Sequence, residues 1–313
     1  MPKISQKAIH KYLRHDKNFP HVWCPGCSNG IVLGATIRAI AELGYEKDNI
    51  VMVSGIGCSS RMPVYVDFNT LHSLHGRAIA YATGIKIVKP EMKVIVITGD
   101  GDATAIGGNH FIHGARRNID LTVILINNYI YGMTGGQYSP TTPYGDRSTT
   151  TPYGNIDPTF DICDLAIGAG ATFVARTTAF HAIEAQSFIK QAFEHKGFSL
   201  VEIISACPVI YGRLNKKGDA PAMMKSMKEN VLPIKTFEKL TDEQKKQISE
   251  KYFAHFEEVE KKMKAGRPSR KDMESMKTDF KKEVKLLLTD DQKKLYDAYK
   301  KKQNQSRPQR RKK

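Results

Sequence analysis

Five short apolar runs constrain this chain more than any other feature of its sequence. They lie at residues 49–54 (NIVMVS), 93–98 (KVIVIT), 121–126 (LTVILI), 172–175 (TFVA) and 199–205 (SLVEIIS). They are rich in β-branched residues and mostly lack polar alternation, which suits strands covered on both faces. Stretches with helical spacing separate them, at 29–43, 75–88, 107–117 and 179–195. Strand and helix patterns in alternation predict an α/β fold, a parallel sheet with helices on both faces.

Composition sets outer limits. Apolar residues make up 41% of the 313, and no run approaches the roughly 18 apolar residues that a membrane-spanning helix needs. The first residues, MPKISQKAIHKYLRHDKNF, contain no apolar segment of a secretory signal. A cytoplasmic protein is therefore expected. The net charge of +16 is uneven, because residues 235–313 carry about +11 of it. The charge describes a tail, so a nucleic-acid-binding main domain is not expected.

The chain is expected to divide into a domain at 1–235, a helical extension at 236–302 and a disordered basic end at 303–313. Within the first, residues 132–158 are rich in Gly, Thr, Pro and Tyr and too long for a routine connection. Loops of that length are usually functional. The extension is rich in Lys, Glu and Asp and repeats one phrase, LTDEQKK from Leu240 and LTDDQKK from Leu288. In each copy a Thr precedes a Gln by three residues, the capping-box pattern of a helix start. Ile248, Tyr252, Phe256, Val259 and Met263 form one helical stripe, and Met273, Met276, Phe280, Val284 and Leu287 a second.

Chemistry concentrates between two of the predicted strands. The segment GDGDATAIGGNHFIHGARRNIDLTVILINN begins at Gly99, straight after one strand, and ends at Asn128, straight after the next. A βαβ unit brings both ends to the carboxyl edge of a parallel sheet, where such sheets bind ligands. The glycines allow close approach to a diphosphate, and the helix start behind them favours its charge. Asp100 and Asn128 offer the hard oxygen ligands that Mg²⁺ prefers. A bare GxG would serve equally in a tight turn, with the Asn pair capping a strand end; it is the segment's resemblance to the thiamine-diphosphate signature, GDG followed about 25 residues later by NN, that points to the anion site.

Cysteine placement is the second signal. Cys24 and Cys27 form a C-x-x-C before the first helix, Cys58 follows the first strand, and Cys207 follows the last. All four could meet at one sheet edge. Four thiolates suit structural zinc or a [4Fe–4S] cluster, and spacing alone does not decide between them. Zinc usually pairs two C-x-x-C knuckles, so the lone knuckle leans towards the cluster. Cys163, in the helical DICDLAIG, is expected to be a small buried apolar residue.

The phrases WCPGCSNG, GIGCSSR, LHSLHGRAIAYATGIK, GDGDATAIGGNHFIHGARRN and NNYIYGMTGGQYSPTTPYG closely resemble the beta subunits of 2-oxoacid:ferredoxin oxidoreductases, the 2-oxoglutarate type above others. The resemblance runs from about residue 10 to 235 and implies a thiamine-diphosphate-binding fold. It implies that Cys24, Cys27, Cys58 and Cys207 hold a [4Fe–4S] cluster. Mg²⁺ would be bound by Asp100, Asn128 and the carbonyl of Ile130. Ile56, Gly57, Cys58, Ser59, Gly101, Asp102, Gly132 and Met133 would line thiamine diphosphate. Arg61 matches a basic position facing the substrate carboxylate, with a surface or interface arginine as the alternative. His75 would approach the cofactor or serve structure, while His110 and His113 are expected in packing or interface roles.

The implied reaction joins a 2-oxo acid and coenzyme A to give an acyl-CoA and CO₂. The electrons released leave through the cluster to ferredoxin. An alpha subunit would supply the other half of the cofactor site, in an αβ unit or a dimer of αβ units. The basic extension beyond KENVLPIK departs from the family pattern. Specificity for pyruvate or a branched-chain 2-oxo acid stays open within the family, and two other readings remain at this stage: a non-redox thiamine-dependent decarboxylase or carboligase subunit, and a zinc-stabilised protein binding RNA through its tail.

Overall fold

The structure, a computed structural model, describes residues 10–16, 20–231, part of 241–262, and 270–294. The chain forms two compact units, Met1–Lys228 and Glu229–Lys313. The boundary expected after residue 235 and the basic end at 303–313 lie outside the described residues.

The first unit is built on a six-stranded sheet in the order β2-β1-β3-β4-β8-β7. Its strands are β1 (Ile50–Ser54), β2 (Asn69–His72), β3 (Lys93–Gly99), β4 (Leu121–Asn127), β7 (Phe173–Thr178) and β8 (Phe198–Ile204). Every pairing is parallel. A separate antiparallel pair, β5 (Ile130–Tyr131) with β6 (Gln137–Tyr138), flanks the start of the long loop. All five predicted runs are strands of the sheet. Strand β2 (NTLH) was not expected, because a half-exposed edge strand needs no apolar run.

Alternate residues of each strand enter two separate cores. Ile50, Met52, Ile95, Ile97, Ile124 and Ile126 pack with helices α1 (Asn29–Leu43) and α5 (Ala182–Glu194). Val51, Val53, Val94, Val96, Val123 and Leu125 pack with α2 (Ala78–Val88), α3 (Gly108–Arg116) and α4 (Ile162–Gly168). Covering on both faces explains why these strands lack polar alternation. A third, smaller core joins Ile130, Ala206 and Tyr211 to Met223 of α6 (Ala220–Glu229).

From β1 the chain runs outward to β2, then crosses to β3 on the other side of β1. That reversal opens a crevice between the loops after β1 and β3, the usual ligand position in such sheets. Short π-helical turns follow β3 and β8, at Asp102–Ile106 and Pro208–Gly212. Such turns occur often at functional sites.

In the second unit, α7 (Arg270–Leu286) carries Met276 buried and Phe280 and Val284 half-buried, and Leu287 just beyond it is half-buried too. Both repeated phrases form the expected capping boxes. Thr241 and Gln244 exchange hydrogen bonds of 2.9 and 3.2 Å, and Thr289 and Gln292 exchange bonds of 2.8 and 3.4 Å. The two boxes also meet, since the Gln244 and Gln292 side-chain amides exchange bonds of 2.9 and 3.0 Å. In the first stripe Tyr252, Phe256, Val259 and Met263 lie outside the described residues. Among the described residues, no helix is long and apolar enough to cross a membrane.

Ile124 is fully buried on β4 and abuts β3 and β8. Ile124→Ala should destabilise the first unit by about 2–5 kcal/mol, the range for emptying such a site. Chemical denaturation midpoints would measure it.

Candidate active site and cysteine cluster

The loops after β1, β3 and β4 enclose a cavity of about 140 Å³ at the carboxyl edge of the sheet. Ile56, Gly57, Cys58 and Ser59 wall it from the first loop, and Asp100, Gly101 and Asp102 from the second. Asn128, Ile130, Gly132 and Met133 come from the third, and His75 completes this group. Every residue expected around the diphosphate and its metal therefore borders one space. Gly57 has φ +130°, a conformation that side chains rarely adopt. Gly101 serves close approach instead, because a Cβ there would lie 2.2 Å from the Tyr131 ring.

Asp100 is almost wholly buried. One carboxylate oxygen accepts hydrogen bonds from Ser139 at 2.5 Å and Thr141 at 2.8 Å. Burial pushes its pKa up to about 6, with those hydroxyls and the backbone N–H groups of Asp100 and Gly101 opposing. Asn128 turns the next loop by accepting from the N–H of Ile130 at 3.2 Å. Between them Tyr129 adopts φ +65°, strained for an aromatic residue.

Asp102 plays a different part. Its Oδ1 accepts from the N–H of Gly76 at 2.7 Å and of Ile56 at 3.3 Å, and lies 2.6 Å from His75 Nδ1. Its Oδ2 accepts from Thr98 at 2.6 Å. The carboxylate is thus occupied by protein donors and ties three loops together. It borders the cavity as an organiser of the wall and orients His75.

The four expected cysteines come together beside this cavity. Cys27, Cys58 and Cys207 are half-buried and Cys24 is exposed. Burial raises Cys27 to about 12, aided by nearby Cys207, Cys58 and Cys24, and opposed by the N–H of Asn29. Burial raises Cys58 to about 11, again with Cys207 and Cys24 close, against the N–H of Met133 and the charge of Arg61. Cys207 is also raised by burial, and the N–H groups of Tyr211 and Ile210 oppose it. A Cβ built on Gly132 would lie 3.6 Å from both Cys58 Sγ and Cys207 Sγ. Cys58 and Gly132 therefore face the thiols and the cavity alike. Among the described residues, no three His, Cys, Asp or Glu side chains gather tightly enough for one metal ion.

The remaining candidates lie apart. Arg61 is exposed, close enough to influence Cys58 but not part of the cavity wall. Cys163 is buried in the second core, as expected, and its thiol also donates to Glu202 at 3.3 Å. His110 lies 2.5 Å from Arg77, and His113 is exposed. Sequence reasoning did not anticipate Ser139, Thr141 or Tyr131, whose hydroxyl donates to the Gly101 carbonyl at 3.1 Å. It also missed Asn127, which donates to buried Glu202 at 2.8 Å and accepts from Thr141 at 3.0 Å. The Glu inside SLVEIIS was a usable signal, since a buried charge demands partners.

Residues 55–203 match the family described as thiamine pyrophosphate enzyme, C-terminal TPP binding domain. A 2-oxoglutarate synthase subunit KorB of Methanocaldococcus jannaschii is 54% identical over 75% of this chain and 86% of its own length. The chain belongs to the beta subunits of the 2-oxoacid:ferredoxin oxidoreductases. Its counterpart from Archaeoglobus fulgidus is 55% identical over 70% of this chain and 79% of its own. A solved 2-oxoglutarate:ferredoxin oxidoreductase from Magnetococcus marinus, with 2-oxoglutarate, coenzyme A and succinyl-CoA bound, is also similar. It shares 42% identity at a TM-score of 0.63, covering 67% of this chain and 71% of the other. As a member of this family the chain is an oxidoreductase subunit with a thiamine-diphosphate-binding fold.

The Asp100 carboxyl titrates near 6 in the fold against an ordinary value of 3.8. Between those values the folded state keeps a proton that the unfolded chain has lost, so stability falls as pH rises from about 4 to about 6. Asp100→Asn should remove that slope. At pH 7 in metal-free buffer it should stabilise the protein by on the order of 1–3 kcal/mol. Denaturation midpoints between pH 4 and 7 would check both effects.

Proposed function

We propose that this chain is the beta subunit of an enzyme that oxidatively decarboxylates a 2-oxo acid, 2-oxoglutarate above others. Coenzyme A would accept the acyl group, and ferredoxin the electrons. The observation that carries the proposal is the shared wall: Cys58 and Gly132 border the cavity and the four-thiol group together. A redox centre there would lie within direct reach of the chemistry.

The residues fit the groups this requires. Thiamine diphosphate would occupy the cavity, its diphosphate held against Gly101 and its neighbours. Mg²⁺ would be held by Asp100, Asn128 and the carbonyl of Ile130. Asp100 suits that role because its charge is buried with hydroxyl and N–H partners alone, a deficit that a divalent cation would offset. A [4Fe–4S] cluster would be held by Cys24, Cys27, Cys58 and Cys207. Three of these thiols are pushed up by burial, so they would ionise on gaining a positive metal partner. Four sulfurs in mutual range, with a single C-x-x-C knuckle among them, support a cluster over structural zinc. The N–H groups aimed at Cys27, Cys58 and Cys207 match the hydrogen bonding that tunes such clusters.

When bound, thiamine diphosphate supplies the electron sink for decarboxylation and the cluster a route for single electrons. The chain's own part is placement. Asp102 locks the loops of Cys58, His75 and Gly101 to one another, and Tyr131 packs over Gly101 and donates to its carbonyl. His75, with Nδ1 engaged by Asp102, is held with its ring against the cavity. Arg61, outside the wall, would meet the substrate carboxylate only at the rim. The described residues form one α/β sheet unit, and an alpha subunit would supply the rest of the cofactor site, in αβ units. The enzyme from Magnetococcus marinus, bound to 2-oxoglutarate and coenzyme A, supports the substrate assignment.

Anaerobically purified protein should contain about four irons and as many acid-labile sulfides per chain. Dithionite should bring up the EPR signal of a reduced cluster, and Cys27→Ser should lose most of it. Zinc, or no metal, would move the function to a non-redox thiamine enzyme.

A further inference from the structure

Asn29 opens helix α1, two residues after Cys27. Its side chain is 1% exposed, and among the described residues neither its Nδ2 nor its Oδ1 has a hydrogen-bond partner. Buried amides are nearly always paired, so an orphan on both atoms demands a reason. Asn29 also borders the cavity, alongside Cys58 and Asp100. Its own N–H points to the Cys27 sulfur. The residue therefore stands between the two groups of functional side chains, with both its amide nitrogen and its amide oxygen unused.

We infer that Asn29 is a binding residue for thiamine diphosphate, its side-chain amide hydrogen-bonding polar atoms of the bound cofactor. The inference rests on the thiamine diphosphate assignment above and adds a contact from outside the GDG and NN loops. A primary amide suits a ligand that both donates and accepts, and thiamine diphosphate, with an amino group, ring nitrogens and phosphate oxygens, does both. An amide buried without partners weakens the empty protein. Asn29 would thus be kept for the ligand at the expense of the fold, a trade-off common at binding sites.

The test uses Asn29→Ala and Asn29→Leu in the full chain with Mg²⁺ present. Trp23 is the chain's single tryptophan, and its indole donates to the Cys58 carbonyl at 2.6 Å, so its fluorescence reports on the cavity wall. Titration with thiamine diphosphate should show affinity at least tenfold weaker in both variants. Their cofactor-free melting temperatures should equal or exceed that of the wild type. Unchanged affinity in a folded variant would overturn the inference while leaving the cofactor assignment intact. A lowered cofactor-free melting temperature with unchanged affinity would make Asn29 structural. Failure of the wild type to bind thiamine diphosphate even when assembled with its alpha subunit would overturn the cofactor assignment, and this inference with it.

Discussion

Parallel pairing delivers the carboxyl end of every strand to the same edge of the sheet. The site depends on this constraint. Cys58 follows β1, His75 follows β2, Asp100 follows β3, Asn128 follows β4 and Cys207 follows β8. Five residues spread over 150 positions of chain need no long-range instruction to meet. Only Cys24 and Cys27 arrive by another route, on the turn that leads into α1. The reversal between β1 and β3 then opens the edge at one place, and the cavity occupies it.

That edge holds three buried carboxylates, each satisfied differently. Glu202 takes Arg176 at 2.5 Å, Asn127 and the Cys163 thiol. Asp102 takes two N–H groups, a hydroxyl and an imidazole. Asp100 receives hydroxyls and N–H groups without a cation or imidazole among the described residues. Buried charges are tolerated when paired, and burial otherwise drives a carboxyl toward its neutral form. Two of the three are therefore parts of the scaffold, and the third is the one whose chemistry is unfinished. The chain Glu202–Asn127–Thr141–Asp100 shows that scaffold and cavity wall are one hydrogen-bond system.

Much of this was legible in the residues themselves. The β-branched runs located five strands of the sheet, and the helical spacing located α1, α2, α3 and α5. The helix read from residue 75 begins at Ala78, because His75 and Gly76 are bound to Asp102 in a turn. The GDG and NN phrases marked the two loops that face each other, and the composition of residues 132–158 marked a loop with work to do. Ser139 and Thr141 within that loop stayed anonymous. They bond Asp100 across 39 and 41 residues of chain, and no local pattern encodes that distance. Strand β2 was silent for a different reason, since its pairing is made by backbone groups that every residue carries.

By itself the sequence determined the sheet, its covering helices, and which residue types lie at strand ends, because periodicity and turn chemistry are local properties. It also supplied the resemblance that names the family. Only the tertiary structure decided what those residues do to one another. It engaged the oxygens of Asp102 with protein donors, left Arg61 outside the cavity wall, and set Cys58 and Gly132 between cavity and thiols. It also buried the Asn29 side chain without a partner among the described residues. The physical reason is that a side chain's partners and solvation depend on groups brought close by folding, whereas its identity does not.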